Sequence, residues 1–151
     1  MRSRFDEQLA LLNRELIEMG ALCEEVIALS AQSLTEGSTE LAARVAPLDE
    51  EIDRKEREIE SLCLKLLLQQ QPVAKDLRQI SAALKMITDM ERIGDQAADI
   101  CEIVTMMDGM EGLDNPRLMR DMAHETVDMV HKVIDAYVAC LLYTSPSPRD
   151  S

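Results

Sequence analysis

The chain has 151 residues, 46% apolar and 30% charged, a size that suits one domain with a modest core. Its 29 Asp and Glu against 16 Lys and Arg leave a net charge of −13, which argues against binding nucleic acid or an anionic membrane because phosphates repel it. With Phe5, Tyr137 and Tyr143 as the aromatics, no Trp, five Gly and five Pro, base-stacking platforms and loop-rich all-β folds are also disfavoured.

Phe5, Leu9, Leu12, Leu16, Met19, Cys23 and Val26 recur at spacings of four and three. That is an apolar seam on one helix face, and it predicts a helix from about Arg4 to Thr35. Gly37 is placed to end it and Ser38 to cap the next helix. The second seam is Leu41, Val45, Leu48, Ile52, Ile59, Leu62 and Leu66, with Lys55 and Glu56 interrupting one turn. Pro47 inside it either kinks the helix or starts a fresh one after a short one. A third helix is predicted from near Val73 to Met107. It has one stripe through Met86, Met90, Ile93, Ala97, Ile100, Val104 and Met107, joined by another through Leu77, Ile80, Leu84 and Ile87. A linker at 108–115 precedes a fourth helix with Asn115 as cap and Pro116 in its first turn. Nothing alternates with period two, so the fold class is all-α: three long antiparallel helices in a bundle, then a further helix. In the fourth helix Met122, Met129 and Val130 repeat the register of Met19, Val26 and Ile27, which fits duplication of a three-helix unit.

From Cys140 the chain reads CLLYTSPSPRDS, and acid-rich helix gives way to Ser-Pro repeats. The segment resembles a translated sequencing adapter, so 140–151 is read as a non-native tail, without helix around Pro146 and Pro148, and the protein is expected to continue past Ala139. The start of the chain shows no basic-then-apolar leader, and no uncharged run approaches the roughly 20 residues of a membrane span. A soluble, cytoplasmic protein without membrane insertion is expected. Cys23, Cys63, Cys101 and Cys140 form no CxxC pair and are expected to be reduced, Cys23 and Cys101 on apolar stripes and Cys63 bordering one.

Two acidic ladders stand out. Asp49, Asp53, Glu56 and Glu60 lie on the second helix, and Glu91, Asp95, Asp99 and Glu102 on the third. Carboxylates one turn apart repel unless a cation sits between them. Two antiparallel helices carrying such ladders can jointly hold hard cations such as Mg²⁺, Mn²⁺ or Ca²⁺, or iron, through oxygen ligands. The competing reading is a solvated acidic face, with Arg54, Lys55 and Arg57 pairing to Glu50, Glu51 and Asp53 one turn earlier. Gly94, followed by Ala97 and Ala98, lets a neighbouring helix approach closely and brings facing carboxylates nearer. On the fourth helix Asp121, His124, Asp128, His131 and Asp135 share a face, and a carboxylate three residues before each His is similar to the pattern of di-metal bundles. This supports an alternative, a di-metal carboxylate bundle that handles iron or acts as an oxidase, against plain polar surface. Lys75, Asp76 and Arg78 open the third helix without the Gly-rich loop or basic cluster of a phosphate site. No nucleophile–base pair is visible, so the chain is read as a non-enzyme.

Gln69 to Ile100, with QPVAKDLR at Gln71 to Arg78 and ERIGDQAADI at Glu91 to Ile100, resembles the signature of the PhoU family of phosphate-signalling regulators. LDEEID at Leu48 to Asp53 is similar to that family's acidic motif on the second helix. The resemblance implies tandem three-helix repeats, here a first repeat at 1–107, a linker at 108–115 and the first helix of a truncated second repeat at 116–139. It implies an E(D)xxxD metal motif, carried here by Glu91 and Asp95 and by Asp49 and Asp53, with Asp99 as an extra ligand and Mg, Mn, Fe or Zn as candidate ions. It further implies a negative regulator of the phosphate-starvation response that contacts the phosphate ABC transporter ATPase and a sensor histidine kinase, and a homodimer at full length.

Overall fold

In a computed structural model, residues 2–69, 72–106 and 116–144 are described, and their regular structure is helical. The elements are α1 (Arg2–Glu36), α2 (Thr39–Ala43), α3 (Val45–Gln69), α4 (Ala74–Met106) and α5 (Pro116–Thr144). At about 1.5 Å per residue, α1 is roughly 50 Å long. Gly37 ends α1 with φ +64°, a left-handed conformation that costs glycine little. The Ser38 N–H then reaches the Ser33 carbonyl at 3.0 Å, closing a Schellman turn. The Ser38 hydroxyl caps α2 by accepting from the Leu41 N–H at 3.1 Å. After one short helix the chain restarts at Val45, and Pro47 falls in the first turn of α3, where its missing N–H costs no intrahelical bond. Of the two outcomes open for Pro47, the fresh helix is the one formed.

α1, α3 and α4 pack mutually as a three-helix bundle, with α2 lying over α1 and α4. The seam of α1 runs through Phe5, Leu12, Leu16, Met19, Cys23 and Val26, all buried. On α3 it is Val45, Ile52, Ile59, Cys63 and Leu66. On α4 it is Ile80, Ala83, Ile87, Met90, Gly94, Ala97, Cys101 and Val104. The alternating three-and-four spacing is that of helices packed side by side at a shallow angle. The α4 stripes are thereby corrected. Met86, Ile93 and Leu84 flank the seam half-buried, and Leu77 is 42% exposed. Cys23, Cys63 and Cys101 are buried free thiols. Cys140 and Met107 lie outside the described side chains.

The interrupted turn of α3 is filled rather than empty. Lys55 is buried to 9% exposure against α1, and its ammonium donates to Glu15 at 3.0 Å and Glu18 at 2.7 Å. Its aliphatic stem continues the seam while its charge is satisfied across the interface. The expected pairing of Lys55 within α3 therefore does not occur, whereas Arg54 does pair locally with Glu51 and Glu58.

α5 opens at Pro116 and packs along α1. It extends to Thr144, beyond the composition break at Cys140. The linker with its Asn115 cap, and Pro146 and Pro148, lie outside the described residues. No helix among the described residues is long and apolar enough to cross a membrane.

Ile59→Ala is expected to cost about 2–5 kcal/mol in urea denaturation, as for other buried truncations. Lys55→Met should lower the melting temperature, because Glu15 is left partly buried without its cation. Adding Glu15→Gln should recover part of the loss.

Candidate metal centre

The α3–α4 contact sets the two acidic ladders face to face. Asp49 and Asp53, one turn apart on α3, meet Asp95 of α4 so that one carboxylate oxygen from each lies within 4.8 Å of the others. Among the described residues this is the grouping of three acidic, His or Cys side chains close enough to share an ion. Gly94, beside Asp95, leaves the space into which Asp49 reaches. A Cβ there would lie 2.7 Å from Asp49 Oδ1 and 3.2 Å from Ile52 Cδ1. The α3 side chains thus occupy the space where any other residue would carry its own. Glycine in a helix interior costs about 1 kcal/mol relative to alanine, so this space is kept at the expense of α4 itself.

The electrostatics of the cluster are unfavourable without a cation. Two like charges about 5 Å apart repel by roughly 3 kcal/mol at an effective dielectric near 20. With every carboxylate ionised, Asp49 Oδ1 and Asp53 Oδ1 are shut off from solvent with no hydrogen-bond partner. Protons offer one remedy. Burial first, then the charges of Asp53 and Asp95, push Asp49 up to about 6. A hydrogen bond to Asp95, together with burial, pushes Glu91 up to about 7, so its protonated form donates to the Asp95 carboxylate. Asp53 is raised by burial and by Asp95, partly offset by Arg57. Glu56 is raised by burial and by the charges of Glu60, Asp53 and Asp95.

A metal ion is the other remedy, and the residues fit one. The converging donors are all carboxylate oxygens, and Asp49 and Asp53 each also have a buried oxygen without a partner, which suits Mg²⁺, Mn²⁺ or iron better than a thiophilic ion. The cysteines take no part, since burial pushes Cys23 up to about 12 and Cys63 up to about 11. Of the five expected ligands, Asp49, Asp53 and Asp95 converge. Glu91 joins through its hydrogen bond to Asp95. Asp99 is exposed, as Asp95 is, and acts on Asp49 through its charge, one turn beyond the core of the cluster. Glu56, expected only as a member of the α3 ladder, faces the same cluster. Its position three residues after Asp53 was the available signal.

The fourth-helix face is arranged differently. His131 Nδ1 lies 2.9 Å from Glu24 Oε1 of α1, and its Nε2 lies 3.4 Å from Asp135. Asp121, His124 and Asp128 are exposed. Among the described residues these side chains do not converge as a metal-binding group, so the face serves as a polar link between α5 and α1.

The model of the PhoU domain matches residues 16–104. The chain belongs to the PhoU family. A relative from Synechocystis sp., named phosphate-specific transport system accessory protein PhoU homolog, is 35% identical over 97% of this chain and 63% of its own length. A homolog of the same name from Clostridium acetobutylicum is 33% identical over 91% of this chain and 63% of its own. The crystal structure of PhoU from Pseudomonas aeruginosa superimposes with a TM-score of 0.84 at 29% identity, covering 89% of this chain and 65% of that one. The chain therefore spans under two thirds of the length of these relatives. The all-α bundle expected from the seams, and the family expected from the QPVAKDLR and ERIGD motifs, are both found.

Raised carboxyl values mean that the folded chain holds protons the unfolded chain releases. Their stabilising effect is complete below the ordinary carboxylate range and is lost as pH rises through about 6 for Asp49 and about 7 for Glu91. The melting temperature of metal-free protein is expected to fall between about pH 5 and 7.5, with a shallower slope in Asp49→Asn. His131 behaves separately. Its hydrogen bond to Glu24, then the charge of Asp135, hold its pKa above the usual imidazole value. The α5–α1 link should be complete below pH about 6.5 and weaken as pH rises through the raised value. Hydrogen-exchange protection of α5 should show this in the wild type and not in His131→Ala.

Proposed function

We propose that this chain is part of a phosphate-transport accessory protein that works without catalysis, through a metal-bearing helical bundle and contacts with other proteins. Membership of the PhoU family and the names of the relatives support the accessory role. The observation that carries the metal reading is the convergence of Asp49, Asp53 and Asp95, where Asp49 and Asp53 each have a buried, partnerless oxygen and that of Asp49 lies over Gly94. In this reading a bound cation neutralises the facing ladders and fixes α3 against α4. Glu91 and Asp99 extend the site along α4, and the ion is Mg, Mn, Fe or Zn.

The finer assignments follow the family resemblance. The full-length protein is a cytoplasmic homodimer that restrains the phosphate-starvation response. Its partners are the ATPase of the phosphate ABC transporter and a sensor histidine kinase. The strong negative charge suits protein partners rather than nucleic acid.

Purified protein titrated with Mg²⁺, Mn²⁺, Fe²⁺ or Zn²⁺ is expected to take up at least one ion in stoichiometric amount and to melt at a higher temperature when loaded. Asp49→Asn with Asp53→Asn should lose that uptake while remaining helical. A wild type that binds none of the four ions would refute the metal reading. In cells, loss of the intact gene should switch on phosphate-starvation genes in high phosphate, and an unchanged reporter would refute the regulatory role.

A further inference from the structure

We propose that Gly94 is a positioning residue of the metal site: its missing side chain is the space in which the Asp49 carboxylate lies beside Asp95. The inference rests on the metal reading above and adds to it the device that aims a ligand. Two features bear on it. Asp49 Oδ1 is the atom nearest to a Cβ at position 94, at 2.7 Å, a separation that real Cβ atoms essentially never show. That same oxygen is shut off from solvent and has no hydrogen-bond partner. The space at Gly94 is therefore filled by a carboxylate oxygen whose charge calls for a proton or a cation.

A plain packing role makes a different claim. A glycine kept for helix–helix approach would be filled by apolar atoms, and a methyl group there would force the helices apart. At Gly94 the apolar neighbours, Ile52 Cδ1 at 3.2 Å and Ile52 Cγ2 at 3.4 Å, need give only a few tenths of an ångström. Asp49 is the group that must move, and its short side chain can rotate away without shifting α3. Rotation moves the Asp49 carboxylate out of its place in the cluster with Asp53 and Asp95. Alanine also favours the helix more than glycine does, and removing one charge from the cluster relieves repulsion. Gly94→Ala should thus leave the metal-free bundle as stable as before, or more so, while disabling the site.

The test measures metal-free melting temperature and Mn²⁺ affinity on the same samples, the latter by counting free Mn²⁺ by electron paramagnetic resonance. Gly94→Ala is expected to melt at or above the wild-type temperature and to bind Mn²⁺ about tenfold more weakly or worse, the size seen when support for a metal ligand is removed. The double variant Gly94→Ala with Ile52→Val, which makes room beside the isoleucine only, should stay weak. Mn²⁺ affinity within twofold of wild type in Gly94→Ala would overturn the role of Gly94 and leave the metal reading standing. Affinity restored by Ile52→Val would overturn it as well, by tracing the effect to packing. A wild type that binds no Mg²⁺, Mn²⁺, Fe²⁺ or Zn²⁺ would overturn both.

Discussion

The contact between α3 and α4 at Gly94 is the constraint on which the rest depends. It brings two helix faces together with no α4 side chain at the point of contact, Asp49 and Ile52 of α3 filling the place. Ile52 ties this point to the core, where Ile59, Cys63 and Leu66 continue the same seam. Asp49 ties it to the charged cluster. Packing and charge therefore meet at one residue pair, and the apolar seam holds the helices in the register that sets the carboxylates against one another. Hydrophobic burial, at about 1.5–3 kcal/mol for each fully buried Leu or Ile, is large enough to hold that repulsion in place.

Charge is distributed to the same effect. The α3 turn that could have supplied a lysine to the cluster turns it the other way, into the Glu15 and Glu18 carboxylates of α1. Arg54 is engaged with Glu51 and Glu58 on the surface. Arg57 is the cation that lowers Asp53, and burial and Asp95 outweigh it. The ladders are consequently left short of positive charge, which a proton or a metal ion can supply. A solvated acidic face would keep its oxygens wet, whereas Asp49 and Asp53 each have one that is not.

α5 stands apart from this arrangement. It lies along α1, linked by His131 and Glu24, and leaves Leu118, Met122, Met129 and Val133 exposed along its length. The family relatives extend well beyond the part matched by this chain. The three-helix unit of α1, α3 and α4 nevertheless has a complete seam of its own, with Phe5 and Leu66 buried as fully as Ile52.

The periodic apolar residues alone determined that the chain is helical, and Gly37 and Ser38 marked a boundary that needs nothing but local backbone chemistry. The ladders were also legible, because residues three and four apart on a helix share a face whatever surrounds them. Tertiary structure decided what the pattern left open. The middle of α4 offered two apolar stripes, and only packing on both neighbours chose the line through Gly94 and Cys101 and left Leu77 outside. Lys55 looked like an interruption of a seam, and became part of it because two glutamates on α1 could satisfy its charge in place. His131 has metal-ligand spacing in sequence, yet the approach of α1 gave it Glu24 as a partner. Local spacing says which side chains share a face. Which faces meet, and therefore which acidic residues lose their water, is set by how the helices pack.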